Sequence, residues 1–180
     1  MGLFGLLRRK PFERQGFELY TGCVAAARSP ELFGGVGVPD TLTGRFEMIV
    51  LHASLLVRRL HTDPDPRGPV LAQAVFDAMF ADMDVNLREM GVGDNTVGKR
   101  VKVLWEGFHG RARALEAALN AADGAGVEAA LDRNVWGGQA PAGAPAALAR
   151  HVRAAAAALA TQGIDELAAG RAVWPESAPA

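Results

Sequence analysis

The chain has very little cysteine: Cys23 is the single one in 180 residues. It can therefore form no internal disulfide, no redox pair and no zinc site of several thiolates, and a reducing compartment is its natural setting. Net charge is nearly absent as well, with 19 Lys and Arg against 20 Asp and Glu, a formal charge of −1 and a pI near 6.4. No global positive field exists to hold a phosphate backbone, so specific nucleic-acid binding is not expected. Long apolar runs are also missing. The nearest approach to the roughly 20 residues needed to cross a bilayer is interrupted by Arg45, Glu47 and His52, then by Arg58 and Arg59. Sustained alternation of β-branched and polar residues, the mark of a strand, is found nowhere.

What is present is an ordinary globular composition, 49% apolar and 22% charged, far from that of a disordered chain. The length suits one domain. Apolar residues recur at three- and four-residue intervals, which predicts an all-α, single-domain helical bundle of about six helices. The first runs from about Arg14 to Arg28 on Phe17, Tyr20, Val24 and Ala27. The second, capped by Asp40, Thr41 or Thr43 and reaching Leu60, is apolar over most of its circumference and belongs in the centre. A third, from Pro69 to Met90, carries Phe76, Phe80, Met83, Leu87 and Met90 as a seam. Gly91 closes it. The fourth, to Asn120, bears Val97, Val101, Leu104, Phe108, Leu115 and Leu119, and the short loop before it favours antiparallel pairing with the third. Shorter helices follow near Val127 to Asn134 and Pro145 to Thr161. The latter are rich in alanine, which buries little area, and are expected to be the least firmly held. Residues 1–12 form a basic and apolar leading segment, 13–170 the helical domain and 171–180 a flexible tail.

Charge is sorted along the third and fourth helices. Asp77, Asp82, Asp84 and Glu89 against Arg88 leave −3, whereas Lys99, Arg100, Lys102, Arg111 and Arg113 against Glu106 leave +4. Asp82 and Asp84, two apart on a helix, point to different sides and read as a solvated surface rather than a carboxylate pair.

Several patterns imitate chemistry. Gly93 to Lys99 has the spacing of a phosphate-binding loop, but Arg100 stands where magnesium needs Ser or Thr, and a helix precedes where a strand is required. The expected structure is a turn with Thr96 or Asp94 capping the next helix. Glu106 and His109 have the spacing of half a di-iron site, whose remaining ligands have no counterpart; His109 reads as a partly exposed residue. Cys23 lies on an apolar helix without a catalytic partner, and no nucleophile elbow occurs. No catalytic residue, metal site or cofactor is indicated. At the N-terminus Leu3, Phe4, Leu6 and Leu7 precede Arg8, Arg9 and Lys10, the wrong order for a secretory signal. They form a candidate membrane-interface segment, apolar side chains inserted and cations on anionic lipid. A bacterial cytoplasmic location follows, with peripheral contact on the cytoplasmic face of the inner membrane.

Leu19-Tyr20-Thr21, Gly37 to Thr41, Gly44 to Met48, Phe76 to Asp84, Leu87 to Asp94 and Val97 to Lys102, in this order, resemble the ubiquinol–cytochrome c chaperone family. The similarity extends over about Phe17 to Gly137 and is most specific at Arg88-Glu89-Met90-Gly91-Val92-Gly93-Asp94 followed by Gly98-Lys99-Arg100. The Ala- and Pro-rich C-terminal part carries no resemblance. The family implies a non-enzymatic assembly factor that binds cytochrome b or its nascent chain during biogenesis of the bc1 complex, near the ribosome exit and with a small partner protein in mitochondrial members. Candidate partner-binding residues are Arg45, Asp82, Asp84, Arg88, Glu89, Met90, Gly91, Gly93, Asp94, Lys99, Arg100 and Lys102. Met79, Met83 and Met90 either line an adaptable apolar groove or fill the core. The alternative is a helical lipid- or quinone-binding protein, or a small helical metal enzyme, using the apolar interior as a pocket.

Overall fold

The computed structural model describes residues 10–121 and 126–175. Among them are eight α-helices and no strand: α1 Glu13–Ala27, α2 Pro30–Gly34, α3 Leu42–His61, α4 Arg67–Glu89, α5 Asp94–Asn120, α6 Gly126–Leu131, α7 Ala144–Ala160 and α8 Ile164–Ala168. A π-helical turn, Asp132–Trp136, continues α6.

The second periodic stretch is the central helix, as its all-round apolarity requires. In α3 Met48, Val50, Leu51, Ala53, Leu55, Leu56 and Leu60 are all buried. Helices α1, α4, α5 and α7 pack around it. Of the three possible caps Thr41 is the one used: its Oγ1 accepts the Gly44 amide at 3.1 Å, satisfying a donor that the first helical turn leaves without an intrahelical partner.

The chief neighbour of α4 is α1, not α5. The reason is a small residue. Gly16 faces Ala74 so closely that a Cβ at position 16 would stand 2.5 Å from the Ala74 carbonyl carbon. The buried face of α1 is thus Gly16, Leu19, Tyr20, Cys23 and Ala27, whereas Phe17, expected in the core, is 59% exposed. Similarly, α4 buries Leu71, Ala72, Val75, Met79 and Met83, while the outer end of the expected seam, Met90, is 60% exposed. α4 and α5 do meet, through edge-to-face contacts of Phe76 and Phe80 with Phe108.

Gly91 has φ 83°, the left-handed conformation expected after the third helix. Neither Thr96 nor Asp94 caps α5. Gly93 occupies the cap position without a side-chain bond, and Asp94 already lies in the first turn.

The alanine-rich end is better held than its composition suggests. Leu148, Ala149, Val152, Ala155, Leu159 and Leu167 are buried, because alanine lets α7 lie close against α3 and α6. Arg59 of α3 donates to the carbonyls of Leu159 and Gln162 at 3.1 and 2.8 Å, while ion-pairing with Asp63 at 2.5 Å, and so fixes the end of α7. The Gln162 amide then exchanges two hydrogen bonds of 2.8 Å with the Val173 backbone. Residues 171–175 are therefore pinned rather than free, with Ala172 and Trp174 packed on the core.

Replacing Gly16 by alanine should force α1 and α4 apart. A loss of about 1–3 kcal/mol, the usual cost of overpacking, is expected in urea unfolding, with helicity at zero denaturant retained.

Candidate functional site

Among the described residues four polar side chains are buried, Gln162 and, on α3, Glu47, His52 and Ser54, and Ser54 is satisfied within its own helix by the Val50 carbonyl. Glu47 is 4% exposed, and its carboxylate pairs with the Arg111 guanidinium of α5 at 2.6 Å. Burial pushes its pKa up, and the Arg111 charge and hydrogen bond oppose that rise. His52 is fully buried. Its Nδ1 lies 2.8 Å from the Met48 carbonyl, which can only accept, so Nδ1 carries the proton. The neutral ring then offers a bare Nε2 to His151 Nε2 at 3.0 Å, making His151 the donor across the α3–α7 contact. Trp174 stands edge-on to His52, ring centres 5.1 Å apart. Burial lowers the pKa of His52 to about 4 and lowers that of His151 as well. These groups join helices to one another. In the sequence Glu47 and His52 register only as interruptions of an apolar run. Their position on a helix apolar all round was the available signal, but their partners lie far along the chain.

The candidate partner-binding residues are split by the structure. Arg45 forms a two-pronged pair with Asp40, at 2.6 and 3.2 Å, and stands over the Phe33 ring. Asp82 accepts a 2.7 Å hydrogen bond from the Tyr20 hydroxyl, tying α4 to α1. Arg88 bonds Asp84 at 2.6 Å and also grips Asp94 across the turn, clamping α4 to the start of α5. Thus Arg45, Asp82, Asp84, Arg88 and Asp94 are engaged within the protein.

Glu89, Met90, Gly91, Gly93, Lys99, Arg100 and Lys102 are all exposed. Lys102 makes a 3.9 Å pair with Glu106, and Lys99 and Arg100 have no ion-pair partner among the described residues. From Val85 to Glu106 Val97 is the single buried side chain. The α4–α5 hairpin end is consequently surface on nearly all sides. Met79 and Met83 fill core, whereas Met90 does not.

Leu3, Phe4, Leu6, Leu7, Arg8 and Arg9 fall outside the described residues. Lys10 pairs with Asp77 at 2.7 Å. No described helix is long and apolar enough to cross a membrane. Glu106 faces Lys102, and His109 meets Trp105 edge to face, ring centres 4.2 Å apart, with Phe76 and Phe108 also in contact. No group of three His, Cys, Asp or Glu side chains placed to hold a metal exists among the described residues. Cys23 is fully buried, which drives its thiol pKa upward.

Together these features describe a helical scaffold, with polar residues used internally as clasps and an accessible hairpin carrying the densest motif. The chain belongs to the ubiquinol–cytochrome c chaperone family, whose model matches residues 35–174. The match continues well beyond Gly137, so the alanine-rich helices are part of the family domain. No curated protein sequence matches the chain. Among solved structures it is similar to the crystal structure of the Cbp3 homolog from Brucella abortus, at 36% identity and a TM-score of 0.81, over 93% of this chain and 92% of that one.

The clasps generate two predictions. His52 has a folded pKa below its unfolded value, so its contribution is present at neutral pH and is lost as pH falls through the unfolded value near 6.5 toward 4. Unfolding free energy should drop by about 2 kcal/mol between about pH 7 and about pH 5, and a His52→Gln variant should show a shallower slope in the same titration. Arg111→Leu, which strands the Glu47 charge, should cost about 3 kcal/mol, whereas the double change with Glu47→Leu recovers part of that loss in chemical denaturation.

Proposed function

We propose that this protein is an assembly chaperone for the ubiquinol–cytochrome c reductase (bc1) complex, and that it acts by binding newly made cytochrome b. Family membership supports the assembly role. The observation that supports binding rather than turnover is the placement of the motif. Arg88 to Asp94 and Val97 to Lys102 lie on a hairpin end where Val97 alone is buried, so core packing does not account for their identities. The Arg88 clamp on Asp84 and Asp94 holds the turn in one shape. Preorganisation of this kind reduces the ordering cost of association.

In this reading Glu89, Met90, Gly91 and Gly93 with Lys99, Arg100 and Lys102 form the contact surface, and Asp84, Arg88 and Asp94 set its geometry. The client is an apolar polypeptide, for which exposure to water costs about 25 cal/mol per Å² of apolar area. A small partner protein and the ribosome exit region are further contacts of the same kind. Leu3, Phe4, Leu6 and Leu7 with Arg8 and Arg9 supply a peripheral membrane contact on the cytoplasmic face, and Lys10, paired with Asp77, ties that segment to α4. The protein performs no chemical conversion and needs no cofactor.

Deleting the gene should lower assembled bc1 complex on native gels together with the cytochrome b heme absorbance. Normal cytochrome b would overturn the proposal. A photoreactive residue at Met90 or Lys99 should crosslink to cytochrome b in cells, and capture of unrelated abundant proteins alone would remove those positions from the contact surface.

A further inference from the structure

Besides the hairpin end, the structure opens a groove of about 560 Å³ between α3, α4 and α5. Its size is that of a ligand-sized cleft. The walls are aromatic: Phe76 from α4, with Trp105, Phe108 and His109 from α5. Trp105 is 46% exposed although its ring is large and apolar. Along the rim stand Arg58 and His61 of α3 and Arg113 of α5, with Glu116 the one carboxylate in the lining. Arg58 donates from Nη2 to Asn120 at 2.8 Å, and its Nε finds no acceptor. Burial and the Arg113 charge both lower the pKa of His109.

The balance of charge around the groove is uneven for a structural reason. Three of the four acids of α4 are engaged within the protein, Asp77 by Lys10 and Gln73, Asp82 by Tyr20 and Asp84 by Arg88, while Glu89, the last residue of the helix, is exposed. On α5 the reverse holds. Arg111 is matched by Glu47, but Lys99, Arg100 and Arg113 have no ion-pair partner among the described residues. In the groove lining itself Arg58 and Arg113 stand against Glu116 alone, a surplus of one positive charge beside the exposed Trp105.

We infer that the α3–α4–α5 groove receives an apolar polypeptide segment bearing an acidic side chain, its aliphatic or aromatic residues against Trp105 and Phe76 and its carboxylate against Arg58 and Arg113. The inference deepens the chaperone reading and rests on it, since it names the chemistry that a client segment presents. A guanidinium recognises a carboxylate through paired, charge-assisted hydrogen bonds. The aromatic wall supplies apolar contact and, for the flanking residues, exclusion of water that strengthens the ion pair. A basic apolar segment meets repulsion at the rim instead, so the groove discriminates by sign.

The test uses the full chain and three probes: a fluorescent amphipathic helix of leucine and glutamate, its leucine and lysine counterpart, and phosphatidylglycerol vesicles. Binding is followed by fluorescence anisotropy and vesicle co-sedimentation. The glutamate peptide should bind at least about tenfold more tightly than the lysine peptide, and Arg113→Glu should remove about tenfold of that affinity, since it turns attraction for the peptide carboxylate into repulsion. Trp105→Ala, also at an exposed position, should weaken it without altering the circular dichroism of the protein. Equal binding of both peptides, indifference to Arg113→Glu and Trp105→Ala, or displacement of the glutamate peptide by vesicles would each overturn the groove assignment. The two readings fail differently. A failed peptide series in a protein whose deletion still abolishes bc1 complex overturns the groove alone. Discriminating peptide binding with normal bc1 complex in the deletion strain supports the groove and removes the chaperone role.

Discussion

Helix α3 has to be covered on all sides, and the placement of the other long helices follows from that. Its apolar residues occupy the full circumference, so no neighbour can be removed without exposing Leu55, Leu56 or Met48 to water. Three buried side chains on this rod are polar, Glu47, His52 and Ser54, and burying them without partners would offset much of what the apolar residues contribute. Ser54 is satisfied by the Val50 carbonyl of its own helix. Glu47 is answered by Arg111 from α5 and His52 by His151 from α7. Each answer also selects which helix lies on which face. Apolar contact alone tolerates rotation and sliding, whereas a 2.6 Å ion pair and a 3.0 Å imidazole contact fix register. Arg59 extends the same device to the end of α7, and Gln162 to the segment after α8. The clasps thus run from the central helix outward to Trp174, which returns to rest on His52.

The long helices were legible in the sequence because periodicity over fifteen or more residues overrides local ambiguity. Elements α2 and α8, five residues each, are too short to show a period. The fourth helix begins at Asp94 rather than Thr96, since a glycine with extended dihedrals at position 93 starts it without a side-chain cap. Phe17 was assigned to the core because large residues dominate a hydrophobic pattern. The helix crossing is set by Gly16, which carries no weight in such a pattern and yet permits the approach to Ala74. The same bias undervalued the alanines of α7, which contribute little area each but allow close contact along a whole face.

The candidate site was legible as a motif and not as an arrangement. The spacing of Asp84 and Arg88 foretells an ion pair along one helix face. Nothing local reveals that the same arginine reaches Asp94, or that Asp82 is held by Tyr20 from another helix. Five of the twelve candidate residues are therefore engaged within the protein, and three of these, Asp84, Arg88 and Asp94, brace the turn beside the seven that are exposed. The groove walled by Phe76, Trp105 and Phe108 was hidden for a related reason. Phe76 and Phe108 belong to the apolar stripes of their helices, and only the packing of α3, α4 and α5 shows that these touching rings also wall an open groove.

Charge sorting links the fold to the proposed activity. Of the acids of α4, Asp77 is paired with Lys10 and Asp84 with Arg88, and Asp82 accepts a hydrogen bond from Tyr20. Of the α5 cations, Arg111 is paired with Glu47 and Lys102 with Glu106, while Lys99, Arg100 and Arg113 have no ion-pair partner among the described residues. A nearly neutral sequence thus leaves cations without acidic partners on the helix that carries the exposed Trp105, just after the exposed Met90. A field of that kind acts over roughly 8–10 Å at physiological salt, about the thickness of one helix, so it steers a partner only once the partner is near the groove and hairpin. Apolar contact then supplies affinity, and the charges supply orientation. A holding protein needs that division. Attraction that is mainly apolar accepts any newly made membrane segment, and a sign requirement at the rim is what restricts the choice among them.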